Sequence, residues 1–279
     1  MMNFKLQNNC IFLFCLFWAS SIIGLEKSLP EKKLVVLVTS YNNQRWVVKN
    51  LMSVASQKYS NYRVIYVNDC STDDTNKLVE DFSKKFPKHI DFKYIKNETR
   101  IGALANIYHS VHSCEDDEVI ISLDGDDWFA SSTVLQQINC SYSSQDVWLT
   151  HGSLIEYPNE STLWSVPVPS EVIDARSFRR YRCPSHLRTF YAWLFKLIRQ
   201  EDLLYEDRFF PMAWDQAMMF PMIEMAGERH LFIPQILYVY NVANAINDNK
   251  VNPMLQNDLE AYIRAMTPYQ RLDKSPLQN

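Results

Sequence analysis

From Leu34 to Asp124 the chain alternates short apolar runs with stretches of helical period, and the apolar runs end in polar residues. Leu34 to Thr39 is almost unbroken apolar sequence, as a strand buried on both faces requires. Trp46 to Gln57 carries Val47, Val48, Leu51, Met52, Val54 and Ala55 at helical spacing. Tyr62 to Val67, Phe92 to Ile95 and Val119 to Leu123 read as three further strands. Asp73 to Phe86 and Gly102 to His112 read as two further helices, the first capped by Ser71 or Thr72. Strands separated by helices of this length specify an α/β fold with a mostly parallel sheet and right-handed crossovers. Such sheets bind ligands beyond the carboxyl ends of their strands. The polar residues stand at those ends: Thr39-Ser40-Tyr41-Asn42, Asn68-Asp69 and Asp124-Gly125-Asp126-Asp127.

The second half is less regular. Trp148 to Thr150 is expected to be a strand and Phe190 to Ile198 an aromatic-rich helix. Trp214 to Ala226 is expected to be a helix kinked at Pro221 and closed by Gly227. Ile236 to Asn241 reads as a late strand and Leu255 to Met266 as a closing helix, followed from Thr267 by a polar, frayed tail. At the other end, Lys5 precedes an uncharged run from Cys10 to Gly24. At 1.5 Å per residue that run reaches only about 22 Å, short of a hydrocarbon core of roughly 30 Å. Residues 1–25 therefore read as a signal peptide or a short signal-anchor, with membrane association through the N-terminus in the second case.

Composition narrows the chemistry. The chain of 279 residues has only five glycines, and no two of them lie close together. That excludes a G-x-G-x-x-G dinucleotide turn and a glycine-rich phosphate loop. A net charge of -4 argues against a nucleic-acid partner, which needs a basic face. The six cysteines show no C-x-x-C spacing, which argues against a zinc site and assigns no disulfide. The three N-x-[ST] sequons, at Asn97, Asn139 and Asn159, are no more than chance supplies.

Three carboxylates within the four residues from Asp124 to Asp127 repel one another unless a cation lies among them. Oxygen ligands at a strand end suit Mg²⁺ or Mn²⁺. The alternative is a tight Asp-Gly turn whose aspartates cap the next helix.

Val38-Thr39-Ser40-Tyr41-Asn42, Val67-Asn68-Asp69-Cys70-Ser71-Thr72-Asp73 and Leu123-Asp124-Gly125-Asp126-Asp127-Trp128 together resemble the signature strand ends of family 2 glycosyltransferases. The likeness is strong over residues 34–130 and weaker over 131–245. It implies the GT-A fold, a Rossmann-like twisted sheet flanked by helices. Residues 33–130 would form a nucleotide-sugar-binding half, 131–266 a less regular acceptor and catalytic-base half, and 267–279 a polar tail. By the same resemblance Thr39 and Tyr41 contact the nucleotide base, Asp69 the base or ribose, and Arg100 the nucleotide, with Asn106 shaping that pocket. Asp124 and Gly125 belong to the donor site. Asp126 and Asp124 hold the metal, Mn²⁺ or Mg²⁺, with Asp127 in support. Cys70 stands where the family usually has a small residue or glycine, which suits a turn without positive φ.

Members of this family invert the anomeric centre, so an acidic group must deprotonate the acceptor hydroxyl. Asp215 matches the position that supplies it, with Glu206-Asp207 as the rival pair. His151, Glu156, Arg188 and Trp214 are candidates to line the acceptor or diphosphate site, His151 being equally well explained as a packed core histidine. Asn241 on the closing strand could approach the site. The implied activity is transfer of a sugar from a nucleotide-diphosphate donor to a hydroxyl of a glycan, lipid or protein-linked acceptor. The implied location is the secretory pathway or a membrane, including a bacterial inner membrane facing the cytoplasm. Alternatives are a nucleotidyltransferase on a similar sheet and a degenerate carbohydrate-binding module.

Overall fold

The computed structural model describes residues 29–162, 166–245 and 248–277. The N-terminal segment read as a signal or anchor lies outside the described residues. Its strands β1 (Leu34–Ser40), β2 (Tyr62–Asn68), β3 (Phe92–Lys96) and β4 (Val119–Asp124) alternate with helices α1 (Val47–Ala55), α2 (Thr75–Ser83) and α3 (Ala103–His112). β1 to β4 are joined in parallel in the order β3-β2-β1-β4. β1 is buried on both faces, which explains its continuous apolar run, Leu34 to Val38 being essentially inaccessible.

After a short β5 (Trp128–Phe129) and α4 (Val134–Ser144), the chain forms β6 (Leu149–Tyr157), α5 (Ser170–Asp174), β7 (Arg188–Tyr191) and α6 (Ala192–Lys196). A two-stranded hairpin, β8 (Leu204–Tyr205) and β9 (Arg208–Phe209), precedes α7 (Trp214–Ala226) and β10 (His230–Asn241). Helices α8 (Asp248–Val251) and α9 (Pro253–Ala265) close the chain. One sheet runs β3-β2-β1-β4-β7-β6-β10-β5. β6 and β10 are parallel to each other, and only β7 and β5 run against the rest. The mixed, mostly parallel α/β architecture is the one expected.

Several local expectations are corrected. Phe190 and Tyr191 belong to strand β7, and the helix is confined to Ala192–Lys196. β7 is wedged between β4 and β6 and buried along its length, so its apolar run has no periodicity to separate strand from helix. The start of α2 is held by Asp73, which accepts hydrogen bonds from the Thr75 and Gln44 amides. Ser71 and Thr72 instead bond Asn42 at the end of β1. Cys70 has φ +60°, the left-handed conformation that its presence argued against. α7 continues through Pro221, and Gly227 follows it at φ +57°.

The tail is not frayed where it is described. The Tyr269 amide donates to Glu224 and the Leu272 amide to the carbonyl of Met225, so residues 269–272 lie along α7. Glu224 is also gripped by the buried Arg179, with contacts of 2.7 and 3.0 Å, while Arg179 Nη1 reaches the carbonyl of Ile263 in α9. One buried ion pair thereby ties α7, α9 and the tail together. Among the described residues Cys70, Cys114, Cys140 and Cys183 are free, and no helix is long and apolar enough to cross a membrane.

Candidate active site

A cavity of about 840 Å³ opens beyond the carboxyl ends of the central strands. Thr39, Tyr41, Arg100, Asp124, Gly125, Asp126, Arg188, Trp214 and Asp215 all line it. The sheet register explains the first part of that convergence. Thr39 pairs directly with Asp124 across β1 and β4, so both strands end at the same level. Gly125 follows, with its amide donating to the carbonyl of Thr39.

Gly125 is required by packing against β1. A Cβ there would meet Ser40 Cβ and Oγ at 2.6 Å and Asn43 Nδ2 at 2.8 Å, well inside contact distance. The bare Cα thus admits the neighbouring strand end.

In the cavity wall the Arg100 guanidinium lies 4.0 Å from the centre of the Tyr41 ring. Asp69 does not line the cavity; it is buried beneath the loop that carries Arg100. Its carboxylate accepts hydrogen bonds from the Asn97 side chain and the Ile101 and Gly102 amides, at 2.8 to 3.0 Å. Burial alone would raise the Asp69 pKa, but these donors outweigh it and hold the carboxyl below its usual range. Asp69 therefore shapes the wall that carries Arg100 by fixing the 97–102 loop, with Gly102 at φ +92° completing the turn. Asn106 is buried behind the same loop, bonded to Asn97.

The carboxylates of the β4 turn have separate duties. Asp127 is buried, accepting from the Tyr238 hydroxyl at 2.6 Å and the Asn241 amide at 2.7 Å. Burial, then the charges of Asp126 and Asp124, push its pKa well up. It anchors the turn to β10. Asp126 lines the cavity and accepts from Asn244 Nδ2 at 2.7 Å, while Asn241 Nδ2 holds its carbonyl. Asp124 Oδ2 lies 3.3 Å from His186 Nε2. Burial would raise the Asp124 pKa, but His186 and Arg188 outweigh it and keep the carboxyl low.

The donor set fits a divalent cation. Asp124, Asp127 and His186 bring ligand-type atoms within 4.8 Å of one another, and Asp126 adds a cavity-facing carboxylate. With Asp127 bonded to β10, Asp124 and Asp126 are the carboxylates of this turn that open on the cavity, and His186 lies beside Asp124. The His186 Nδ1 is buried without a partner. Carboxylate and imidazole donors suit Mn²⁺ and Mg²⁺ in that order of tolerance for nitrogen.

Asp215 sits in the first turn of α7, its Oδ2 2.9 Å from Arg188 Nη2. Burial works against the Arg188 charge, yet Asp215 and Asp124 more than offset it and its pKa is raised. Arg188 Nε and Nη1 remain buried without partners. The turn before α7 places Ala213 at φ +52°, with its amide donating to Gln256 of α9. Glu206 and Asp207 are absent from the cavity wall: at φ +49° and +60° they form the two-residue turn of the β8–β9 hairpin.

His151 and Glu156 do not line the cavity either, although Leu154 of the same strand β6 does. His151 packs against His230 and Phe232, with ring centres 5.7 and 5.4 Å away. Burial, then the neighbouring His230, pushes its pKa down to about 3. A folded-state pKa below the unfolded value near 6.5 means that acid favours the unfolded chain. Stability should be full above about pH 6.5 and fall between there and pH 3, with about 2 kcal/mol lost by pH 5 through this group. Denaturant midpoints at pH 7 and pH 5 should therefore differ less in His151→Leu than in the wild type. An equal difference in both proteins would clear His151 of this role.

Sequence reasoning missed His186, Asn244, Gln256 and Glu260, which line the cavity. A signal existed for His186, two residues from Arg188 at the spacing that puts side chains on one face of an extended chain. None existed for the α9 residues, which reach the site only through the tertiary fold.

The match to known proteins agrees with this geometry. A poly(ribitol-phosphate) β-N-acetylglucosaminyltransferase, TarS of Staphylococcus aureus, is 28% identical over 104 residues, which are 37% of this chain and 18% of that protein. The structure of its residues 1–349 in complex with UDP-GlcNAc has a TM-score of 0.55 at 17% identity, covering 75% of this chain and 58% of that one. The mannosyltransferase PcManGT of Pyrobaculum calidifontis, in complex with GDP-Man and Mn²⁺, has a TM-score of 0.57 at 16% identity, covering 86% and 66%. These likenesses show the GT-A fold. Residues 35–203 match the defining sequence pattern of Glycosyl transferase family 2, and the chain belongs to that family.

Proposed function

We propose that this protein is an inverting, divalent-metal-assisted glycosyltransferase that moves a sugar from a nucleoside-diphosphate donor to an acceptor hydroxyl. The observation that carries this is that one cavity is lined by Asp124 and Asp126 and also by Asp215. A donor spans such a site with its diphosphate at the first pair and its sugar toward Asp215. The donor class is supported by the two structural relatives, solved with UDP-GlcNAc and with GDP-Man and Mn²⁺.

The roles follow from position. Tyr41, Arg100 and Thr39 receive the nucleoside, and Asp69 keeps their loop in place. Bound at Asp124 and Asp126, Mn²⁺ or Mg²⁺ supplies neutralisation of the negative charge that builds on the departing diphosphate. Asp215 accepts the acceptor's hydroxyl proton as that oxygen bonds to the anomeric carbon. The carbon–oxygen bond to the diphosphate breaks from the opposite face, and the nucleoside diphosphate leaves with the electron pair. Arg188 holds Asp215 in place and feels the charge of Asp124 as well.

Incubation with Mn²⁺ and a panel of UDP- and GDP-sugars should give donor turnover that EDTA abolishes. Nucleotide binding without turnover of any donor would favour a degenerate binding module. Release of pyrophosphate from a nucleoside triphosphate would favour a nucleotidyltransferase.

A further inference from the structure

The cavity extends past Asp215 to α9, which lies outside the residues that match the family pattern. Gln256, Glu260 and Arg264 recur every four residues along α9 and line the cavity together. The helix is a fixed wall. Its Leu259 and Ile263 are buried, and Arg264 Nη1 donates to the carbonyls of Arg179 and Tyr181 at 2.8 and 2.6 Å. Gln256 connects this wall to the proposed base. Its Oε1 accepts from the Ala213 amide, two residues before Asp215, at 3.0 Å, and its Nε2 donates to Glu260 Oε1 at 2.8 Å.

Glu260 is thus half-buried with one oxygen engaged, and its Oε2 has no partner among the described residues. Arg182, Arg188 and Arg264 line the cavity with Asp215 and Glu260, Arg188 being bound to Asp215 and Arg264 to backbone carbonyls. At α9 itself, a carboxylate oxygen to spare, which accepts from a hydroxyl and repels an anion, suits a neutral polyol ring, and the Trp214 indole stands in the same cavity wall.

We propose that α9 reads the acceptor, with Glu260 accepting a hydrogen bond from one hydroxyl of a neutral sugar while a neighbouring hydroxyl faces Asp215. The inference rests on the transferase function proposed for the same cavity. It makes the specificity of the site a property of a helix that the family's pattern does not include.

The test is binding to the full chain loaded with Mn²⁺ and UDP or GDP. The probes are the methyl glycosides of glucose, galactose, mannose and N-acetylglucosamine, with ribitol 5-phosphate as the anionic comparison. At least one neutral glycoside should bind, and Glu260→Gln should weaken it by about tenfold to a hundredfold, as loss of a hydrogen bond to a charged group implies. Nucleotide affinity should stay within about twofold, since Gln256 can still donate to the new amide oxygen. Equal glycoside binding by both proteins, a wild-type preference for ribitol 5-phosphate, or loss of nucleotide affinity in Glu260→Gln would each overturn the assignment. Failure of the wild type to bind either nucleotide would instead overturn the functional proposal beneath it.

Discussion

Asp215→Asn should bind donor as tightly as the wild type and transfer its sugar about 10²- to 10⁴-fold more slowly, the range that a positioned general base supplies. The substitution keeps shape and one acceptor oxygen, so the 2.9 Å contact from Arg188 can survive while the proton-accepting charge is lost. Arg188 is almost fully buried and loses its closest counter-charge, but Asp215 is 29% exposed and Asp124 still faces the guanidinium. Partial exposure discounts the electrostatic loss, so stability should fall by no more than about 1 kcal/mol. Folding and donor affinity are therefore separable from chemistry. Thermal denaturation and nucleotide titration should match the wild type closely, and the product-formation rate should not. Undiminished transfer would remove Asp215 from the chemistry, and the hairpin-turn pair Glu206 and Asp207 could not replace it without a large rearrangement, being outside the cavity.

The first half of the fold was legible because burial writes itself into sequence there. β1, β2 and β4 are covered on both faces and read as apolar runs, and amphipathic helices separate them. The motifs at their ends fall on one cavity because parallel strands must end at one edge of the sheet. Past Asp127 the sequence becomes ambiguous for the same physical reason. β7 is buried like a core helix, and Phe190, Tyr191 and Trp193 satisfy either element. What decides it is pairing with β4 and β6, an event between residues up to about seventy positions apart in sequence that no local window contains.

Site residues divide along a similar line. Asp69, Asp126 and Asp127 are all acidic residues at strand ends, and composition gives them equal claims. Their partners separate them. Asp69 is consumed by backbone amides at residues 101 and 102, Asp127 by Tyr238 and Asn241, and only Asp126 of the three lines the cavity. Partners that lie 32 to 114 residues away are invisible to a motif. The polar tail shows the converse error. Its composition resembles a frayed end, yet Glu224 supplies an acceptor for the Tyr269 amide, and a satisfied backbone group orders a segment that side-chain hydropathy would leave loose.

Asp126→Ala should remove metal-dependent turnover while leaving the metal-free protein at least as stable as the wild type. The sign of the second effect comes from the crowding of carboxylates. Asp126 raises the pKa of the buried Asp127, which means that its charge disfavours the ionised neighbour. Deleting it relieves that repulsion, and this offsets the lost hydrogen bond from Asn244, worth about 1 kcal/mol. With Mn²⁺ and nucleotide present the order reverses, because a ligand that binds only the folded state stabilises it by mass action. The wild type should show a rise in melting temperature with Mn²⁺ and UDP or GDP, and the variant little or none. Turnover should fall by about 10³-fold or more, as loss of several kcal/mol of charge stabilisation on the leaving diphosphate implies. His186→Ala is the control for which carboxylate dominates: if Asp124 and Asp126 are the principal ligands, it should weaken the Mn²⁺-dependent shift less than Asp126→Ala does. A full shift and full turnover in Asp126→Ala would show that the metal is held elsewhere or not needed.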